Sequence, residues 1–242
     1  MALAAVAAFA GAFVQSTTGF GFALVLSPAL FAVMDPVEAV MALLVLGLAL
    51  SLLVLFERGR PEHVDWRALA PMLVAALPGL GVGALALTRL SKEVLQVAVG
   101  VAVMAAAAWQ MRRRRRGVEP HQVSAGVAGF TSGALTTSIN VSGPPIVLWL
   151  EARGAPPEEF RASLAATFLV LDLAGGALLL GAEGSASVDL GTVAPLLGVV
   201  VAGYALGAVA FRRLNRERFY TLVLALVACT GAASVAAGLG VF

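Results

Sequence analysis

Two short clusters carry most of the polar chemistry inside the apolar parts of this chain. The first is Gln15, Ser16, Thr17, Thr18, Gly19, Phe20 and Gly21, with Ser27-Pro28 further on; the second is Thr136, Thr137, Ser138, Ile139, Asn140, Val141, Ser142, Gly143, Pro144 and Pro145. Hydroxyl and amide side chains set among glycine and proline are hydrogen-bond donors beside backbone that cannot stay helical. Unwound backbone at membrane depth is tolerated only where protein or a watery cavity satisfies its polar groups. A half-helix beginning at Gly19 or Pro144 would aim free amide groups and its positive dipole end into such a cavity. Proline suits a first helical turn, because its absent N–H would have been unpaired there anyway. This chemistry favours a small anion. The candidate binding residues are Gln15, Ser16, Thr17, Thr18, Gly19, Gly21, Pro28, Thr136, Thr137, Ser138, Asn140, Ser142, Gly143 and Pro144. Small and hydroxyl residues in membrane helices also serve close packing, so the paired clusters tell more than any one member.

Asp172 is the only acid deep in an apolar segment, where an ionised carboxylate costs about 2.5–3.5 kcal/mol on insertion scales. It is expected to carry a coupling proton or, as the weaker alternative, to help hold a sodium ion; the bland reading is a hydrogen bond to a neighbouring Thr or Ser. Arg161 and Arg153 could draw anions inward, but basic residues at helix ends are usually topological anchors, and Trp149 could gate the cavity or, as is more common, sit in an interfacial belt. An intramembrane serine protease needs a histidine facing its serine, and His63 and His121 lie in loops; an aspartyl protease needs two intramembrane aspartates, and only Asp172 qualifies. Cys229 stands alone, which rules out a cysteine-based metal site or a disulfide within the chain. No enzyme activity, metal or cofactor is expected.

The elements that must position these residues follow from composition. The 242 residues are 60% hydrophobic and 12% charged, with a mean hydropathy of +0.94, far from the balance of soluble domains. Apolar runs this long exclude an outer-membrane barrel, whose strands alternate over about ten residues. The pI near 9.2 reflects basic residues clustered between apolar segments, which membrane topology explains without nucleic acid. The start, apolar from Ala2 and without a basic n-region, reads as mature structure.

Charges and turn residues divide the chain into ten stretches, about 2–15, 18–34, 37–56, 66–88, 92–110, 123–138, 141–153, 160–182, 189–211 and 216–241. The halves match when shifted by 124 positions: VDWRALAPML from Val64 lies over VDLGTVAPLL from Val188. Gly79, Gly83, Ala84, Arg89, Leu90 and Glu93 fall on Gly203, Gly207, Ala208, Arg213, Leu214 and Glu217, giving about twelve identities in thirty ungapped positions. Asp172 falls on Leu48. Cytoplasmic loops carry the excess of Lys and Arg; placing Arg112 to Arg116 inside also puts Arg58, Arg60, Arg67, Arg212, Arg213, Arg216 and Arg218 inside and the loop from Glu183 to Asp189 outside. Five segments per half then make the repeat inverted, an architecture recurrent in secondary transporters. The expected fold is an all-α, polytopic membrane helix bundle of two inverted repeats, 1–111 and 122–242, joined by a basic cytoplasmic linker, 112–121. The first two segments of each half are short or broken. The expected setting is the inner membrane, multi-pass, with both termini outside and lipid around it; the five arginines could also meet anionic lipid.

At TTGFGFALVLSPAL, from Thr17, and SGALTTSINVSGPPIVLWL, from Ser132, the chain resembles the sulfite exporter TauE/SafE family, whose halves each carry a Gly-rich, Pro-containing broken segment. The resemblance covers essentially the whole chain. It implies export of small sulfur-containing or carboxylated anions, such as sulfite or organosulfonates, driven by the membrane potential or a proton gradient. It also implies that Gly19, Gly21, Pro28, Asn140, Ser142, Gly143 and Pro144 line the site. The chain departs from the family's commoner form in having Phe22 and Ala23 after Gly21, and Asn140 where glycine is frequent. An anion channel or a non-transporting membrane scaffold is the alternative function.

Overall fold

A computed structural model describes residues 2–57, 64–116, 124–154, 156–183, 190–210, 231–232, 234–236 and 238–240. The described residues form nine α-helices and no strand: α1 (Ala2–Thr18), α2 (Phe22–Val33), α3 (Pro36–Leu55), α4 (Trp66–Arg89), α5 (Lys92–Arg116), α6 (Ala125–Ile139), α7 (Gly143–Ala152), α8 (Pro157–Glu183) and α9 (Leu190–Ala210). Most of the tenth stretch, with Arg212, Arg213, Arg216, Arg218 and Cys229, lies outside the described residues, as do Arg58, Arg60, His63, His121 and Asp189.

Among the described residues four helices are long and apolar enough to cross a membrane: α3, α4, α8 within Glu159–Gly181, and α9 within Gly191–Val209. By contrast α2 has 12 residues and α7 has 10, about 18 and 15 Å of helix against a hydrocarbon core of about 30 Å. Neither is long enough to cross alone, and each packs back on the helix before its break, α2 on α1 and α7 on α6, as the second arm of a hairpin. Local chemistry sets several boundaries. Pro36 opens α3 after Asp35, and the Asp65 carboxylate accepts the Ala68 N–H at 3.1 Å to start α4. Ser124 caps α6 in the same way. The five arginines expected in a linker instead form the C-terminal end of α5; arginine is a good helix former and is favourable at a C-terminus, where it meets the negative dipole end.

Two helix pairs pack backbone to backbone. In the first, α4 and α6 run parallel: a β-carbon on Gly79 would overlap the Phe130 carbonyl, on Gly83 the Ala134 carbonyl and Thr137 Oγ1, on Gly129 the Met72 carbonyl, and on Gly133 the Ala76 carbonyl. Thr137 Oγ1 adds a hydrogen bond to the Leu80 carbonyl at 2.7 Å. In the second, α1 and α9 also run parallel: a β-carbon on Gly203 would lie 2.6 Å from the Phe9 carbonyl oxygen, and one on Gly207 2.8 Å from that of Phe13. Small residues four apart are what let membrane helices approach this closely. Between the pairs, α3 packs on α8 at the centre, α1 on α2, and α6 on α7. Large side chains on the outer faces of α4 and α9, including Val74, Leu77, Leu85, Leu206 and Val209, are exposed, as a lipid-facing surface requires.

Candidate functional site

The two breaks meet at the α3–α8 crossing. After α1, Gly19 and Gly21 take φ of 81° and 111°, the left-handed region that only glycine enters freely. This is why α2 begins at Phe22 and not at Gly19. Thr18 Oγ1 bonds the Val14 carbonyl at 3.0 Å and bridges to Phe20, holding the turn. After α6, Asn140 carries φ 55°, the one non-glycine residue with positive φ among the described residues. The Asn140 N–H returns to the Thr136 carbonyl at 3.2 Å, the five-to-one bond of a helix that ends on a left-handed residue. Asparagine is the side chain best able to stand in for glycine there, which accounts for Asn140 at a position where the resemblance leads one to expect glycine.

Each break is tied to its surroundings by side-chain bonds. Ser27 Oγ donates to the Ile139 carbonyl at 2.8 Å, so α2 satisfies the end of α6. Ser132 Oγ donates to the Ser142 carbonyl at 3.2 Å. Gln15, expected to donate, instead accepts: its Oε1 takes the Phe22 N–H at 3.2 Å and caps α2.

A cavity of about 40 Å³ lies between the breaks, lined by Gln15, Phe20–Leu24, Gly47, Ser51, Asn140–Gly143, Phe168 and Asp172. At about 10–15 Å³ per water, it has room for about three waters, the size class of a small oxyanion. Both returning helices point their N-termini at it. Helical geometry leaves the Ala23, Leu24 and Gly143 N–H groups without intrahelical acceptors, whereas Pro144 and Pro145 contribute none. Asn140 hydrogen-bonds the Asp172 carboxyl. Gly47 makes room for that carboxyl: a β-carbon there would lie 2.7 Å from Asp172 Oδ2.

Of the candidates read from the sequence, Gln15, Gly21, Asn140, Ser142, Gly143 and Asp172 line this cavity. The others do not. Ser16 Oγ bonds the Phe13 carbonyl at 2.7 Å, beside Gly207, and Gly19 lies against Arg161. Thr136 and Ser138 bond carbonyls one turn back in α6, Thr137 bonds α4, Pro28 is buried within α2, and Pro144 sits in the first turn of α7. Of Thr17 only the backbone, in the last turn of α1, is described. Sequence reasoning missed Gly47 and Ser51. Ser51 is the one hydroxyl in α3, and that isolation was the available signal.

Near the α8 N-terminus, Arg161 Nη2 donates to the Ser16 carbonyl and to Glu57, each at 3.2 Å. It thus ties α8 to the ends of α1 and α3. Arg153 pairs with Asp65 at 3.7 Å and lies over the Trp149 ring at 4.9 Å. Trp149 is buried and so is not part of an interfacial belt: the α7 hairpin arm turns it inward beneath Arg153. Among the described residues no cluster of His, Cys, Asp and Glu could hold a metal ion.

The family model described as Sulfite exporter TauE/SafE matches residues 3–234, a span that includes both breaks. A probable sulfite/organosulfonate exporter TauE of Cupriavidus necator is 31% identical over 173 residues, covering 66% of this chain and 64% of that protein. The chain thus aligns with a little under two thirds of its relative's length. No solved structure matches.

Proposed function

The chain belongs to the sulfite exporter TauE/SafE family, a family of membrane exporters and not of enzymes, and from that premise we propose that it is a secondary transporter moving small anions outward, sulfite or an organosulfonate, by alternating access. The observation that carries this reading is the convergence of two helix N-termini, one from each half, with Asp172 on one small cavity midway along α3 and α8. Discontinuous helices with N-termini aimed at an anion are how secondary transporters build sites near the bilayer midplane.

The inverted repeat is part of the proposal. Its support is that α4–α6 and α1–α9 are the same pairing made twice, with Gly79 and Gly83 of one at the repeat positions of Gly203 and Gly207 of the other. With the arginine-rich end of α5 cytoplasmic, the hairpin α1–α2 enters from outside and α6–α7 from inside, and the Arg161–Glu57 and Arg153–Asp65 pairs lie at the cytoplasmic end. Coupling is assigned to Asp172, through a proton in preference to sodium.

The test is flux of labelled sulfite and of a two-carbon sulfonate in proteoliposomes, with and without an imposed pH gradient. Saturable, gradient-sensitive flux that disappears in the double variant Gln15→Ala, Asn140→Ala, at unchanged expression, is the expected result. Full flux in that variant removes the site; flux that never saturates favours a channel, and none of either anion rejects these substrates.

A further inference from the structure

The cavity holds a carboxyl and no basic side chain: among its lining residues Asp172 alone is titratable. The elements packed around it place no other charged side chain on its wall. From α3 it is faced by Gly47 and Ser51, from the α6–α7 break by Asn140 to Gly143, and from the α1–α2 break by Gln15 and Phe20 to Leu24. Charged residues of these elements sit at their ends: Glu38 near the start of α3 and Glu57 just beyond its end, Arg67 and Arg89 on α4, Glu151 on α7. Along α8 the nearest are Arg161 and Glu183, each eleven residues from Asp172, about 16 Å at helical rise; Arg161 lies against Gly19, and its guanidinium is taken up by the Ser16 carbonyl and Glu57.

The positive potential in the cavity therefore comes from the N-termini of α2 and α7. Each is worth roughly half an elementary charge, so the two together balance about one negative charge. An ionised Asp172 would use all of it, and an anion arriving beside that carboxylate would be left uncompensated in a low-dielectric site. Ser51 supplies the second observation. Its Oγ is fully buried on the wall of this cavity, one turn after Gly47, and has no hydrogen-bond partner among the described residues. A buried hydroxyl without a partner is unfavourable unless a guest supplies one.

We propose that the cavity takes an anion only together with a proton on Asp172, so that anion and proton cross in the same direction, and that the Ser51 hydroxyl is a direct ligand of the anion. This rests on the anion-transport reading above and adds the sense of the coupling. On loading, a proton from the aqueous phase on the loading side joins the Asp172 carboxylate, and that O–H donates to an anion oxygen. On release the O–H bond breaks and the proton leaves with the anion. A monovalent sulfonate then moves with no net charge.

The experiment is calorimetric titration of the purified full-length chain in lipid nanodiscs with methanesulfonate, whose sulfonate stays ionised throughout, and separately with sulfite, from about pH 5.5 to 8.5. Repeating each titration in two buffers of different ionisation enthalpy counts protons. Wild type should take up close to one proton per methanesulfonate at the alkaline end, with Kd rising about tenfold per pH unit there, and the same in sodium-free buffer. Asp172→Asn should show neither uptake nor pH dependence. Ser51→Ala should keep the proton uptake and bind about tenfold more weakly. Binding of methanesulfonate without proton uptake at the alkaline end, or tightening as pH rises, overturns the co-uptake while leaving the anion carrier intact. Unchanged affinity in Ser51→Ala removes that ligand. No binding of either anion overturns both this inference and the function on which it rests. The proton count is read on wild type, so it does not depend on any variant folding.

Discussion

Replacing Gly47 by alanine tests the geometry of the cavity with a single methyl group. The new β-carbon would stand 2.7 Å from Asp172 Oδ2, about 0.7 Å short of ordinary van der Waals contact. The carboxyl can relieve this by rotating roughly 20° about χ1, which costs about 0.5–1.5 kcal/mol off its rotamer. Alanine in place of glycine in a helix interior returns about 1 kcal/mol, so the net change in stability should lie within about 1 kcal/mol of zero. Function should respond differently. A rotated carboxyl gives up its bond to Asn140, worth about 1–2 kcal/mol, or about five- to thirtyfold in an equilibrium constant. We expect Gly47→Ala to melt within a few degrees of wild type in a thermal-shift assay while methanesulfonate flux in proteoliposomes falls at least fivefold. Gly176→Ala on α8, where a β-carbon meets nothing within 4 Å, is the control and should transport normally. Wild-type flux from a folded Gly47→Ala protein would refute the contact between α3 and Asp172, and collapse of the fold would show that the carboxyl cannot move as argued.

Other outcomes follow from the same structure. Asn140→Gly keeps the left-handed end of α6 and should leave thermal stability nearly unchanged, whereas Asn140→Ala should lose about 1–2 kcal/mol; both should lose transport, since both remove the group that bonds Asp172. Gly83→Ala forces a methyl group into the Ala134 carbonyl and should cost about 1–3 kcal/mol, while Gly81→Ala, two residues away and facing open space, should be neutral or stabilising in the same melt. Arg161→Gln breaks a pair whose side chains are 30% and 33% exposed, so it should cost no more than about 1 kcal/mol and leave flux measurable; a loss several times larger would mean that the Ser16 carbonyl contact carries the α1–α8 junction.

Much of this organisation was legible because the bilayer leaves few choices. Glycine and proline inside apolar runs mark the places where helices must stop, and the observed breaks at Gly19–Gly21 and Asn140–Ser142 fall inside the clusters read from the sequence. Asp172 stood out because burying an acid in lipid needs a reason. What escaped was whatever depends on helix register. Gly47 and Ser51 lie in an uninterrupted helix and matter only because that face of α3 meets α8. Likewise, Thr136, Thr137 and Ser138 look like binding residues in one dimension, yet their hydroxyls are consumed by carbonyls of α4 and α6. Gln15 does reach the cavity wall, but its oxygen accepts the Phe22 N–H that opens α2.

The glycine contacts also set the order in which the molecule can be assembled. Helix α4 meets its close partner α6 soon after it is made, but α1 is locked to α9 through Gly203 and Gly207, about 190 residues further along the chain. At ribosomal speeds of about 5–20 residues per second, α1 waits roughly 10–40 s in the bilayer before its mate emerges. A long-range closure thus comes late in insertion, when the ninth helix recruits the first. Damage to Gly203 or Gly207 would register at the opposite end of the polypeptide, as an orphaned amino-terminal hairpin offered to membrane quality control.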